Sequence, residues 1–286
     1  MNLSPKRLLL YKKIASLFFR YARPAVLEQT SFSDTVKVDE ELKKSDSPEE
    51  FACALEAMGP TFVKLGQLLS TRGDLMPPRY LLALERLQDN VDPIPYEEVV
   101  CIIERKLGAR LSKVFKTFDK EPLASASLGQ VHRATLRDGR EVVVKAQRPH
   151  AQQNVFRDLD ALAEIANYAD RHSEHGRKYH FSGIIEQFRR SLIDELDYLI
   201  EAQNLKQMKR SLLEFDKIIV PEPIEALCSG EVLTMEFIDG VKITELPGVA
   251  KTEIDGKALA EEAVLKASYF RGLVFLSLNS YDNFIQ

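Results

Sequence analysis

The sequence predicts an α+β fold in which helices flank a small antiparallel sheet. Residues 51–120 and 150–215 carry apolar side chains at the three- and four-residue spacing of amphipathic helices. Between them, residues 131–147 form two β-rich runs on either side of Asp138-Gly139, a pair typical of a tight hairpin turn. Helices, a hairpin and further helices predict one large domain or two lobes, with no internal repeat.

Composition and charge are those of an ordinary globular chain. Of the 286 residues, 45% are hydrophobic and 29% are charged, which is enough apolar material for a sizeable core. The net charge of -4 gives no reason to expect a nucleic-acid partner. The cysteines Cys53, Cys101 and Cys228 lie far apart, which favours reduced thiols in the cytoplasm. We predict no secretory signal, and no run approaches the roughly 18 apolar residues of a membrane-spanning helix.

Residues 1–50 are predicted to form a basic amphipathic helix followed by a polar linker. Six lysines and arginines precede the first acidic residue, Glu28, and apolar residues lie among them at helical spacing. Such a helix can bind an anionic membrane surface through residues 1–25, which would make the protein peripheral at a membrane. It can equally pack on the main body with its basic face in solvent.

The next block, residues 51–120, is predicted to be helical. One helix runs from Pro60 to about Thr71, a second follows Pro77 and Pro78, and a third runs from about Tyr96 to Gly108.

Residues 121–240 are predicted to combine the sheet with a long helix. The hairpin strands are 131–136 and 141–147, and short strands are expected at 218–220 and 232–237. Ser182 is the expected N-cap of one long helix, whose apolar side continues to Leu199.

A run of small residues precedes the hairpin, and Lys145 lies on the second strand. Small residues let backbone N–H groups approach a polyphosphate closely, and serine hydroxyls add donors. Side chains alternate along a strand, so Val143 and Lys145 share a face, where Lys145 can reach phosphates and Val143 can line a base pocket. The alternative is an exposed hairpin with a solvated lysine. The predicted cofactor-binding residues of this region are Ala124, Ser125, Ala126, Ser127, Gly129, Gln130, Val131, Val143 and Lys145.

Four segments resemble the UbiB family of atypical protein kinases, and they occur in the order of that family. Residues 124–134 look like its alanine-rich loop, and Lys64-Leu65-Gly66-Gln67 resembles its KxGQ motif. Residues 142–149 resemble its lysine strand, and residues 195–204 resemble its ExD segment with the glutamate that follows. The resemblance covers roughly residues 50–245.

This resemblance implies a kinase-like N-lobe over 121–240, preceded by a helical KxGQ extension over 51–120. It implies ATP with Mg as cofactors of the intact family, ATPase-like activity in some members, and a link of many members to quinone (coenzyme Q) biosynthesis. The KxGQ element resembles a feature on the face where ordinary kinases bind protein substrates. The resemblance therefore implies a small or lipidic substrate rather than a protein, in quinone or isoprenoid-lipid metabolism. The alternative is ATP hydrolysis coupled to a conformational step.

Helix geometry divides the acidic residues of the ExD segment. On one continuous helix, Asp197 and Glu201 share a face, whereas Glu195 lies on nearly the opposite side. We expect Glu201 to pair with Lys145 as the positioning ion pair of the site. Lys64 and Gln67, with Gly66 between them, are expected to contact Glu195. The alternative for each of these charges is a solvated helix face.

A strand passing into a glycine turn at residues 232–240 resembles the kinase hinge. The resemblance implies that backbone groups near Met235, Glu236 and Ile238 bind the adenine edge. The alternative is an ordinary core strand that ends in a turn.

Two motifs of kinase catalysis do not occur in the sequence. Phosphoryl transfer needs metal ions held by a catalytic-loop Asn and a following Asp, yet neither His-x-Asp-Pro-x-x-x-Asn nor Asp-Phe-Gly is present. We therefore expect residues 241–286 to be the start of a truncated C-lobe, the Mg ligands to be missing and the chain to be catalytically inactive. No metal site is predicted elsewhere. The alternative function is a non-catalytic nucleotide-sensing or membrane-associated regulatory module.

Overall fold

The computed structural model describes residues 5–21, 47–87, 91–213 and 218–240. The helices of these ranges are α1 (Pro5–Tyr21), α2 (Pro48–Met58), α3 (Pro60–Ser70), α4 (Pro78–Leu84), α5 (Tyr96–Leu107), α6 (Leu111–Val114), α7 (Ala151–His172), α8 (Glu174–Tyr179), α9 (Phe181–Glu195) and α10 (Tyr198–Ser211). The strands are β1 (Phe115–Phe118), β2 (Ala124–Ser125), β3 (Gly129–Leu136), β4 (Glu141–Gln147) and β5 (Val232–Glu236). The paired strands run in the order β1-β3-β4-β5, with β2 beside β3. This confirms the predicted α+β class with a small antiparallel sheet. The predicted C-lobe block, 241–286, lies outside the described residues.

Two compact units make up the chain, and each contains separate stretches of sequence. The first unit holds the described residues within 1–92, 125–128 and 148–192, and the second holds those within 93–124, 129–147 and 193–286. These units cut across the blocks predicted from the sequence, because residues 125–128 group with the first unit. Among the described helices, none is both long enough and apolar enough to cross a membrane.

In the first unit, α2, α3 and α4 pack together around buried apolar side chains. Gly66 allows this packing, since a β-carbon there would lie 2.2 Å from Leu87 Cδ1 and 3.0 Å from Leu55 Cδ1. Gly66 therefore has a packing role independent of any ligand.

Helix α1 also belongs to the first unit and packs on α7. Ile14 and Leu17 are buried, and the Tyr11 hydroxyl donates to the Glu164 carboxylate of α7. Lys12 and Lys13 are exposed. This arrangement matches the packed-helix alternative for these residues, and membrane binding through residues 1–25 stays a prediction.

The single long helix predicted after Ser182 is wrong. Helix α9 begins at Phe181 and ends at Glu195, and α10 begins after Asp197, which has an extended backbone with φ -106° and ψ 99°. The Asp197 carboxylate accepts a hydrogen bond from the Leu199 N–H at 3.0 Å. Asp197 is therefore an N-cap, and Glu195 and Glu201 lie on different helices.

The hairpin of the second unit matches the prediction. The Leu136 N–H donates to the Arg140 carbonyl, the Asp138 carboxylate accepts from the Arg140 N–H, and Gly139 has φ 94°. The strand predicted at 218–220 is wrong, since these residues have no regular secondary structure. The strand predicted at 232–237 is present as β5.

The two faces of the sheet are covered by different helices. On one face, Val142, Val144 and Ala146 of β4 belong to an apolar cluster with buried residues of α5. On the other face, Val143 clusters with Leu233 and residues of α10. Alternation along β4 thus directs Val143 and Lys145 to the face that carries α10.

Candidate functional site

Lys145 forms an ion pair with Glu201 on the α10 side of the sheet. It lies in register with Val131 of β3 and Leu233 of β5, which places it on the central strand. Its Nζ lies 3.0 Å from Oε1 and 2.9 Å from Oε2 of Glu201. Each side chain is only 13% exposed. The alternative of a solvated lysine therefore does not hold, while a role in phosphate binding stays a prediction.

The start of α10 is fixed to the sheet on the same face. The Gln147 side-chain amide donates to the Leu196 carbonyl at 2.9 Å, and the Tyr198 N–H donates to the Gly230 carbonyl at 3.1 Å. Since Asp197 caps the helix between these two contacts, the position of Glu201 one turn later follows from local hydrogen bonding.

Tyr198 is a part of the site that the sequence reasoning missed. Its side chain is buried, and the Lys145 Nζ lies 4.8 Å from the centroid of its ring, within the range of a cation–π contact. The signal was its spacing: Tyr198 and Glu201 are three residues apart and so share a helix face.

Gly129 lies where no side chain fits. A β-carbon on Gly129 would be 2.4 Å from the Tyr198 hydroxyl oxygen and 3.0 Å from the Ala146 carbonyl oxygen. The glycine that was predicted to approach a phosphate thus also permits the close packing of β3, β4 and α10.

Residues 125–128 of the small-residue loop are held by Arg148, which the sequence reasoning did not single out. The guanidinium donates to the Ala126 carbonyl and to the Ser125 hydroxyl, and the Arg148 N–H donates to the Leu128 carbonyl. Ser127 is buried. Because these residues and Lys145 belong to different units, placement of the loop over Lys145 stays a prediction.

Gln130 points to the α5 side of the sheet rather than toward Lys145. Its Oε1 accepts from the Ile94 N–H at 2.8 Å, and its amide nitrogen lies 2.9 Å from His132 Nε2. His132 Nδ1 in turn lies 2.8 Å from the Asp119 carbonyl oxygen. Any contact of Gln130 with a nucleotide on the Lys145 face would therefore use its backbone.

The proposed hinge residues have several backbone groups already in use. The Glu236 N–H donates to the Glu222 carbonyl, and the Phe237 N–H donates to the Glu141 carbonyl. The Met235 side chain is buried in the cluster on the α10 side. These two N–H groups are thus unavailable to adenine, and binding through Ile238 or through carbonyls stays a prediction.

The KxGQ residues lie on α3 in the first unit. Lys64 is buried, and the Gln67 side-chain amide donates to the Leu87 carbonyl at 3.2 Å. Glu195 belongs to the second unit. A contact of Glu195 with Lys64 and Gln67 therefore stays a prediction.

No metal site is evident in the part of the chain that the structure describes. Within those ranges, no three His, Cys, Asp or Glu side chains are grouped as metal ligands. The structure therefore assigns no magnesium ligand.

A family model described as the ABC1 atypical kinase-like domain matches residues 86–273. Proteins named "Probable protein kinase UbiB" are similar to the chain. The one from Pseudomonas putida strain F1 is 44% identical over 211 residues, covering 74% of this chain and 39% of that protein. The one from Cellvibrio japonicus is 42% identical over 216 residues, covering 76% of this chain and 39% of that protein. The chain thus spans about 39% of the length of these curated relatives.

A solved structure is also similar: Rv3197 of Mycobacterium tuberculosis, in complex with erythromycin. It is 28% identical, with a TM-score of 0.48, over 67% of this chain and 48% of that chain.

Proposed function

The chain belongs to the ABC1 atypical kinase-like family, as a UbiB-type member, and on this premise we propose that it binds ATP through Lys145. The Lys145 ammonium is the group that contacts the phosphates, and Glu201 holds it in position. In protein kinases the corresponding lysine and glutamate must be paired for the phosphates to be bound productively.

The ion pair is the observation that carries this proposal. Two charges at this distance on the protein surface would contribute little to stability, because water screens them and their side chains are mobile. Lys145 and Glu201 are instead 13% exposed each and in contact through both carboxylate oxygens. Separating the two groups would leave each charge buried without its partner, which is strongly unfavourable. Burial therefore holds the ammonium in its direction toward Glu201.

ATP fits this arrangement, because an ammonium has three N–H donors and Glu201 accepts two hydrogen bonds from it. One donor can therefore face a phosphate oxygen. Magnesium would neutralise the charge of the phosphates when bound, and the described residues contain no group of three or more His, Cys, Asp or Glu side chains that could hold it. We assign no step to the metal.

The finer aspects of the function are also proposals. We propose that the family's ATP-dependent activity serves quinone or isoprenoid-lipid metabolism, with a small or lipidic substrate rather than a protein. This rests on the UbiB resemblance and on the names of the relatives. Since the sequence contains neither catalytic motif, we further propose that these 286 residues alone do not transfer phosphoryl groups.

Titration calorimetry with ATP tests the binding proposal. Lys145→Met should weaken ATP binding at least about tenfold, because it removes the phosphate-binding charge. Glu201→Gln should weaken it less, because the ammonium remains but loses its fixed direction. Lys116→Met is the matched control, since Lys116 is an exposed lysine on β1 of the same sheet.

Equal ATP affinity of the unmodified chain, Lys145→Met and Lys116→Met would contradict the proposal. Turnover of ATP with magnesium by the purified chain would contradict the proposed inactivity without affecting the binding proposal.

A further inference from the structure

Arg148 is hydrogen-bonded to two other stretches of the first unit, Asp92 and residues 125–128. Its Nε donates to the Ala126 carbonyl at 2.8 Å, and its Nη2 donates to the Ser125 hydroxyl and to the Asp92 carbonyl, both at 2.7 Å. Its backbone N–H donates to the Leu128 carbonyl at 2.9 Å. One residue thus holds most of the small-residue loop.

These bonds fix the direction of the loop's peptide groups. The carbonyls of Ala126 and Leu128 point toward Arg148, and the Ser125 carbonyl accepts from the Val91 N–H. In a planar trans peptide, the carbonyl and the following N–H point in opposite directions. The N–H groups of Ala126 and Ser127, which follow the Ser125 and Ala126 carbonyls, are therefore directed away from Val91 and from Arg148, respectively. Such an arrangement lets backbone donors face an anion.

The charge of Arg148 also favours binding of an anion at the loop. Burial lowers the pKa of the guanidinium, and the charge of Asp92 opposes this shift more weakly. An arginine nevertheless stays protonated in a protein. Its acceptors in the described structure are two carbonyls and a hydroxyl rather than a carboxylate. A positive charge therefore lies beside the loop without a carboxylate among its hydrogen-bond acceptors, which favours an approaching polyanion.

We propose that Arg148 is a positioning residue that holds loop 125–128 in its phosphate-binding conformation. This inference rests on the proposed function, and it adds the residue that orients the phosphate-binding backbone. Arg148 acts through the loop and does not touch the nucleotide. Lysine cannot replace it, because a single ammonium does not present the planar fork that spans Ala126, Ser125 and Asp92 at once.

A series of ligands separates this role from a general role in stability. Arg148→Lys should weaken ATP binding about tenfold, ADP less and AMP least, while adenosine affinity changes by less than about twofold. Arg148→Gln, which also removes the charge, should weaken ATP binding further. Arg140→Lys is the matched control, since Arg140 lies exposed in the hairpin turn and should leave every affinity unchanged.

A milder variant keeps the test possible if Arg148→Lys does not fold. Ser125→Ala removes one acceptor of Arg148 and should weaken ATP binding by a smaller factor, again sparing adenosine. Hydrogen exchange without nucleotide gives an independent measurement: amides 125–128 should exchange faster in Arg148→Lys than in the unmodified chain, with no change in Arg140→Lys.

An equal loss of affinity for adenosine and ATP would overturn the inference, as would unchanged exchange at 125–128 in Arg148→Lys. Failure of the unmodified chain to bind any of these nucleotides would instead overturn the proposed function. The phosphate-binding part of the inference would then fall with it, even if the exchange result is as expected.

Discussion

Lys145 already has two partners on its face of the sheet. Its ammonium contacts both carboxylate oxygens of Glu201 and lies over the ring of Tyr198. The lysine is thus placed by the protein itself, so a nucleotide would meet a charge whose direction is set in advance. Such preorganisation lowers the cost of binding, because fewer side-chain rotamers must be fixed when the ligand arrives.

Gly129→Ala should destabilise the protein. The new β-carbon would lie 2.4 Å from the Tyr198 hydroxyl oxygen and 3.0 Å from a backbone carbonyl oxygen, so β3 or α10 must shift. We expect a loss of about 1–3 kcal/mol in the free energy of unfolding, measured in urea. The control is Gly183→Ala on α9, where nothing lies within 4 Å of the added carbon. Equal stability of the two variants would contradict this account of Gly129.

His132 should make stability depend on pH. Burial lowers its pKa below the ordinary value of 6.5, although the Asp119 carbonyl and the charges of Asp119 and Glu121 act in the opposite direction. The unfolded chain then binds the proton more readily than the folded one, so the free energy of unfolding falls as pH drops below 6.5. Urea unfolding between pH 7.5 and 5 measures this. The free energy of unfolding should change less with pH in His132→Gln, and as much as in the unmodified chain in His150→Gln. The same pH dependence in both variants would contradict this role of His132.

Helix α10 is the element on which the site depends most. Its first residues are fixed by the Asp197 cap, by the contact of Gln147 with Leu196, and by the contact of Tyr198 with Gly230. The helix therefore carries Glu201 to Lys145 through contacts made within its first turn.

Asp197→Ala should remove the N-cap of α10 and destabilise the protein by about 1 kcal/mol. Asp197→Asn is the matched control, because asparagine is an equally good N-cap without the charge. Thermal and urea unfolding of both variants measure the difference. If Asp197→Asn loses as much stability as Asp197→Ala, then the charge of Asp197 matters and its capping role does not.

The elements that the sequence predicted are those with a local signal. The hairpin follows from Asp138-Gly139 between two β-rich runs, and α5 ends at the left-handed Gly108 as its glycine indicated. The break before α10 was missed because apolar spacing continues through Leu196, while Gln147, which anchors the break, lies far away in sequence. Arg148 was missed for a similar reason, since backbone carbonyls are its main acceptors and leave no mark in the sequence.

At the scale of the whole molecule, the residues matched by the family model include the sheet that carries Lys145. The ABC1 atypical kinase-like match spans residues 86–273, and this range includes β3, β4, β5 and α10 of the second unit with the Lys145–Glu201 pair. The pairing of these two residues followed from motif order and helix spacing even though the predicted helix was wrong. The predicted pairing is still found because α10 begins at Tyr198, three residues before Glu201, so Tyr198 and Glu201 share one helix.

The most direct test of the central claim reverses the ion pair. ATP affinity is measured for Lys145→Glu, for Glu201→Lys and for the chain with both changes. The single changes place two like charges in contact and should abolish measurable binding. The double change restores opposite charges and should bind ATP more tightly than either single change, though more weakly than the unmodified chain. A double variant that binds ATP no better than the single variants would contradict the claim that these two residues act as a pair.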